Sequence, residues 1–209
     1  MYHYAGNNPI RYIDPDGRAD VKTKKDTKKL NENIQKILDG VEKWTPGIKG
    51  IPKHYIKGVL SKETYDFLGE INSEEGRPNF WFACAGGAIC FRNTWVTPEL
   101  NPNPYSKASD LAKSGKINFY KDEKGNRITD PKILGPMLKP GDVISFIADN
   151  PNDQWHTATV LSNDPEKEEL IYIEYHGVGS SERVEIWKIT KYEFTRYSDE
   201  KLYGGGEWQ

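Results

Sequence analysis

Cysteine and histidine are the residue types of this chain most able to do covalent chemistry, and both are few. The chain holds two cysteines and four histidines, namely Cys84, Cys90, His3, His54, His156 and His176. Six helical positions turn two side chains about 240° apart, so we expect no disulfide between the cysteines. The sequence has no Cys-x-x-Cys or His-x-x-x-His spacing, so we expect no metal site. A thiol paired with a distant histidine is the chemistry that remains.

The thiol can act as a nucleophile only after it loses its proton. A thiol at a helix N-terminus beside a histidine is stabilised as the thiolate by the helix dipole and by the ion pair. Cys84 opens a predicted helix at 84–95, and His156 opens a predicted strand at 156–161. In this arrangement His156 accepts the thiol proton as general base and later protonates the leaving amine.

The residues favour Cys84 as the nucleophile and keep Cys90 as the alternative. Cys90 would fall in the middle of the helix, where the dipole helps less and burial raises the pKa of a thiol. Gly86 and Gly87 argue the other way, because each costs a helix interior about 0.8 to 1 kcal/mol relative to alanine. If the helix began at Ala88, Cys90 would lie in its first turn.

The general base needs a third polar group that fixes its tautomer. Side chains alternate along the predicted strand 170–176, which puts Tyr172, Glu174 and His176 on one face. Either Glu174 or His176 could therefore orient His156.

The elements that position these residues change in type along the chain. Helical periodicity or capping predicts helices at 26–43, 61–72, 84–95 and 106–114, with a turn at 45–52. From residue 116 onwards, short segments rich in Val, Ile, Tyr and Phe predict strands at 117–120, 142–147, 156–161, 170–176 and 183–189. Helices followed by an antiparallel sheet indicate an α+β domain.

Four segments occur in an order that resembles the NlpC-like family of papain-fold cell-wall cysteine peptidases. They are Phe82-Ala-Cys84-Ala-Gly86, Leu138-Lys-Pro-Gly-Asp142, Trp155-His156-Thr-Ala-Thr-Val160 and Tyr172-Ile-Glu-Tyr-His176-Gly177. The resemblance covers roughly residues 80–190. It implies a papain-like α+β fold with N-terminal helices packed on an antiparallel sheet, and a catalytic triad of Cys84, His156 and His176, with Glu174 as the alternative third member.

The resemblance also implies a substrate, although the chain departs from the family at two positions. The family has aspartate before and serine after the nucleophile, and this chain has Ala83 and Ala85 there. The reaction class is unaffected by this change, whereas the bond cleaved is placed in doubt. We expect Trp81, Phe82 and Trp155 to line or support the substrate cleft.

The first residues carry a second resemblance. Residues 2–18, with the runs Tyr4-Ala-Gly-Asn-Asn-Pro9 and Tyr12-Ile-Asp-Pro-Asp-Gly17, look like the end of an Rhs-type repeat core, which is followed by a toxin in that family. We therefore divide the chain into the core end (1–18), a linker (19–25), a cysteine hydrolase toxin domain (26–200) and a mobile tail (201–209).

Composition narrows the partners. A formal net charge of −2 does not favour nucleic-acid binding, and no apolar run reaches transmembrane length. The expectation is an antibacterial cysteine peptidase or amidase that needs no cofactor, cleaves peptidoglycan stem peptides or cross-links, and is neutralised by a cognate immunity protein. Such a toxin is secreted or delivered by a contact-dependent secretion system to the recipient periplasm or cell wall. The alternatives are a cysteine amidase, deamidase or acyltransferase acting on a protein or lipid, and a non-catalytic wall-binding module.

Overall fold

The structure is a computed structural model that describes residues 24–105, 107–148, 156–177, 182–194 and 200–209. The helices are α1 (Thr27–Asp39), α2 (Lys62–Ile71), α3 (Cys84–Asn93), α4 (Ala108–Lys113) and α5 (Pro131–Leu134). The strands are β1 (Lys24–Lys25), β2 (Val41–Pro46), β3 (Tyr55–Leu60), β4 (Val96–Thr97), β5 (Ile117–Phe119), β6 (Val143–Ala148), β7 (His156–Asp164), β8 (Glu169–Tyr175), β9 (Val184–Ile189) and β10 (Glu200–Trp208).

Eight strands form one antiparallel sheet in the order β2-β3-β9-β8-β7-β6-β10-β5, and β1 pairs with β4 separately. The predicted α+β class is therefore confirmed. The expected segment of the Rhs-like core and most of the linker lie outside the described residues.

Alternation along the strands separates two cores. On β8, Ile171, Ile173 and Tyr175 join the core that contains α1 and α3. Leu170 and Tyr172 point to the opposite core, which the segment 128–138 and the residues after β9 complete. This two-sided burial explains why β8 reads as an almost continuous apolar run, and it places α3 directly against the centre of the sheet.

Four helices and five strands lie close to their predicted positions, and the predicted first helix is wrong at its end. It stops at Asp39 with Gly40 as its C-cap, and residues 41–46 form β2 in place of its last turn. Strand β3 also escaped prediction, and so did α5. Lys24 and Lys25, predicted as linker, pair with Thr97 and Val96.

The predicted mobile tail at 201–209 is also wrong, because residues 201–208 belong to β10, which lies in the sheet between β6 and β5. Its glycines allow close packing in the sheet. A Cβ atom on Gly206 would lie 2.2 Å from the backbone oxygen of Asn118 on the neighbouring strand. Only glycine permits this approach.

Candidate active site

Helix α3 begins at Cys84, with Ala83 in extended conformation as its N-cap. No side chain caps this end of the helix. The first backbone N–H groups of a helix have no partner within the helix. Their partial positive charge stabilises an anion at Cys84. Neither Cys84 nor Cys90 is in a disulfide.

The helix runs through the two glycines without interruption. A Cβ atom on Gly87 would lie 2.5 Å from the ring of Tyr175 on β8, so glycine lets α3 approach the sheet closely. The cost in helix propensity is offset by this packing. Cys90 therefore lies in the middle of α3, and the alternative helix start at Ala88 is wrong.

The loop before Cys84 is fixed by Asn72, a fully buried residue that sequence reasoning missed. Its side-chain amide donates to the carbonyl of Phe82 at 2.8 Å, and its amide oxygen accepts from the Phe82 N–H at 2.9 Å. The Asn72 carbonyl accepts from the N–H of Trp81 at 3.1 Å. These three bonds anchor the chain two residues before Cys84. A lone asparagine after a predicted helix carries no sequence signal of this role.

The thiol of Cys84 is hydrogen-bonded to the ring of His156, and it accepts hydrogen bonds from the backbone N–H groups of Thr157 and Ala85. Burial raises the pKa of this thiol, but these three contacts and the charge on His156 outweigh burial and lower the pKa overall. The pKa of Cys84 is therefore shifted in the direction that a reactive cysteine requires.

The ring of His156 is held on its other side by a carboxylate. Nε2 of His156 lies 2.7 Å from Oε2 of Glu174, whose side chain is 1% exposed. Burial lowers the pKa of His156. The charge of Glu174 and the hydrogen bond between His156 and Cys84 outweigh burial and raise the pKa of His156 well above its ordinary value. Because Glu174 engages Nε2, Nδ1 is the nitrogen left to face the thiol.

The expectation that His176 is the third member of the triad is corrected by this geometry. The ring of His176 stacks on the ring of His156, with centroids 5.6 Å apart and planes at 20°. Nε2 of His176 lies 3.2 Å from Glu185 and 3.6 Å from Glu174. The structure thus brings together Cys84, His156 and Glu174. It places His176 against the ring of His156, with Nε2 of His176 directed at Glu174 and Glu185.

Cys90 faces a different environment from Cys84. It lines a cavity of about 300 Å³ with Glu74 and Phe82, outside the cluster of Cys84, His156 and Glu174. Burial and the charge of Glu74 raise the pKa of the Cys90 thiol to about 12. A thiol in this state is protonated at neutral pH and is a poor nucleophile.

The residues expected to line the cleft have different positions. Trp81 is half-buried beneath the guanidinium of Arg77, which lies 4.4 Å from the centroid of the ring. Phe82 is buried and packs against Gly86 of α3. Trp155 lies outside the described residues.

Three ligand atoms near the site are close enough to hold a metal ion. They belong to Glu174, His176 and Glu185 and lie within 4.8 Å of one another. The indole N–H of Trp187 donates to both carboxylates, at 3.0 and 3.2 Å. Because these donors and the ammonium of Lys57 already compensate the carboxylates, the set fits a hydrogen-bonded charge network better than a cation site.

Within the described ranges, no helix is both long and apolar enough to cross a membrane. Comparisons with protein-family models, with curated proteins and with solved structures found no match for this chain.

Proposed function

We propose that this domain is a cysteine hydrolase of papain-like type that cleaves amide bonds, with Cys84 as nucleophile, His156 as general base and acid, and Glu174 as orienting residue. One observation carries the proposal. A thiol at an uncapped helix N-terminus is hydrogen-bonded to a histidine, and that histidine is hydrogen-bonded to a buried carboxylate.

The roles follow from the chemistry of each group. The Cys84 thiolate attacks the amide carbon, a C–S bond forms, and the carbonyl electron pair moves onto oxygen next to backbone N–H groups at the start of α3. The C–N bond then breaks, and His156 gives its proton to the leaving amine. A water molecule, deprotonated by His156, attacks the thioester, which releases the acid and the free thiol. Glu174 stabilises the imidazolium form of His156 throughout.

We propose peptidoglycan stem peptides or cross-links as the substrate, and a toxin as the biological role. This proposal is supported by the order of the four NlpC-like segments and by the Rhs-like residues 2–18. It implies delivery to the periplasm or wall of a recipient cell. It also implies a cognate immunity protein that covers the nucleophile and its base in the producing cell.

A second candidate substrate is an amide of a protein or lipid in the recipient cell. The observation that favours it is the pair Ala83 and Ala85, which replaces polar residues that the family uses near the nucleophile. The same three catalytic groups would serve either substrate.

Digestion of purified peptidoglycan, followed by chromatography and mass spectrometry of the soluble products, tests the proposal. Defined muropeptides released by the wild-type protein and by Cys90→Ala, but not by Cys84→Ala, support the cell-wall substrate. Intact peptidoglycan together with a reactive Cys84 would shift the proposal to the second candidate. A protein that binds the wall and has no reactive cysteine would contradict both.

A further inference from the structure

The carboxylate that orients His156 is itself held from its far side. One oxygen of Glu174 bonds to His156, and the other accepts the indole N–H of Trp187 at 3.0 Å and lies 3.6 Å from Nε2 of His176. Glu174 is therefore shared between the catalytic pair and a second group of residues on β8 and β9.

Directly across the strand ladder from Glu174 stands a second carboxylate, Glu185, its register partner on β9. Two like charges at directly opposed positions destabilise an antiparallel pair unless cations or donors compensate them. Three groups do so here. His176 bonds to Glu185 at 3.2 Å, Trp187 donates to it at 3.2 Å, and the Lys57 ammonium donates at 2.7 Å.

We propose that His176 is a positioning residue that, as a cation between Glu174 and Glu185, keeps Glu174 ionised and thereby sets the acidic limit of the thiolate form of Cys84. This inference rests on the proposed role of Cys84 as nucleophile. It assigns to His176 a control of the charge state of the triad from outside it.

The electrostatic surroundings support this role. Hydrogen bonds to Glu174 and to Glu185 raise the pKa of His176 to about 9, so His176 is charged at neutral pH. Within the part of the chain that the structure describes, charged groups that face Glu174 include His156 from β7, His176 after β8 and Glu185 from β9. Lys57 from β3 faces Glu185 and is shared with Glu182.

When Glu174 takes up a proton, His156 loses the charge that stabilises its imidazolium form, and the proton returns to the thiol. Removing a nearby cation makes this happen at higher pH, and removing a nearby anion makes it happen at lower pH. His176→Gln removes the cation and keeps an N–H donor. Glu185→Gln removes the opposing anion and keeps a hydrogen-bonding group. The two variants therefore move the limit in opposite directions.

The test is the rate of iodoacetamide alkylation of Cys84 between pH 3 and pH 9, read by peptide mass spectrometry on the full chain. We expect the acidic midpoint to rise by about one pH unit in His176→Gln and to fall in Glu185→Gln. His54→Gln is the matched control, because His54 bonds to the backbone carbonyl of Glu193 in another part of the fold. It should leave the midpoint unchanged.

Loss of structure would raise the midpoint towards that of a free thiol in either variant. The circular dichroism spectrum and the fall expected in Glu185→Gln therefore separate folding from charge. Equal midpoints in wild type, His176→Gln and Glu185→Gln, with Cys84 still alkylated, would overturn this inference and leave the proposed nucleophile in place. Failure of the wild-type Cys84 to react at any pH at which the protein is folded would overturn the proposed function as well. The assay needs no substrate, so absence of wall digestion alone does not affect it.

Discussion

Oε2 of Glu174 lies 2.7 Å from Nε2 of His156, and this contact joins two strands that are neighbours in the sheet. The register of β7 against β8 pairs Ala158 with Glu174. Continued by two residues, the same antiparallel register would pair His156 with His176. The carboxylate reaches the imidazole diagonally along the sheet. The rings of His156 and His176 stack on each other. The hydrogen bond from His156 to Glu174 therefore fixes the tautomer of His156.

The first prediction concerns Glu174. Glu174→Gln removes the charge that stabilises the imidazolium and permits the wrong tautomer of His156, so kcat should fall on the order of 10³- to 10⁴-fold. Steady-state hydrolysis of muropeptides measures the loss. Glu169→Gln, on the same strand but partnered with Lys188, is the control and should retain activity. Equal activity in the two variants would remove Glu174 from the triad.

The second prediction concerns the base. His156→Ala leaves the thiol without a proton acceptor, so hydrolysis should be abolished and alkylation of Cys84 at neutral pH should become slow. Burial raises the pKa of the Cys84 thiol once its main stabilising contact is lost. Full activity in this variant would rule out a cysteine hydrolase.

Sequence patterns predicted the class of the fold and two members of the candidate triad, because strand alternation and the helix start are local properties. They could not rank Glu174 against His176. Both face the same side of β8, and the choice depends on the register of β7 against β8 and on side-chain length, which no local pattern contains.

Elements whose composition opposes their structure were also missed. The glycines of β10 are typical of a flexible tail, and only the backbone of β5 beside Gly206 explains them. Val41 continues the helical spacing of the apolar residues of α1, so the sequence pattern predicts too long a helix. In the structure Gly40 ends the helix, and β2 begins at Val41.

The third prediction concerns Asn72, whose hydrogen bonds anchor the loop before Cys84. Asn72→Ala leaves the N–H and carbonyl of Phe82 buried without their partners, which should cost about 2 to 4 kcal/mol of unfolding free energy. Urea denaturation measures this cost, and kcat should fall because the start of α3 is less firmly positioned. The exposed Asn118 on β5 provides the control, since Asn118→Ala should change neither quantity. An unchanged unfolding midpoint for Asn72→Ala would contradict this anchoring role.

The fourth prediction concerns stability against pH. The pKa of His176 is raised from 6.5 to about 9 in the folded protein, so the folded state binds its proton more tightly than the unfolded state. This contribution is complete below pH 6.5 and is lost as the pH rises towards 9. The difference in unfolding free energy between wild type and His176→Gln should therefore shrink over this range. A difference that stays constant from pH 6 to pH 9 would show that His176 is uncharged in the fold.

The central claim is that Cys84 is the thiolate nucleophile, and site-resolved iodoacetamide labelling of the native protein at pH 7 tests it most directly. Contacts with His156, Thr157 and Ala85 lower the pKa of Cys84, whereas burial and Glu74 raise the pKa of Cys90 to about 12. Peptide mapping should therefore find the label on Cys84 and almost none on Cys90, and prior labelling should abolish hydrolysis. Label on Cys90 with Cys84 unmodified and hydrolysis retained would contradict the claim.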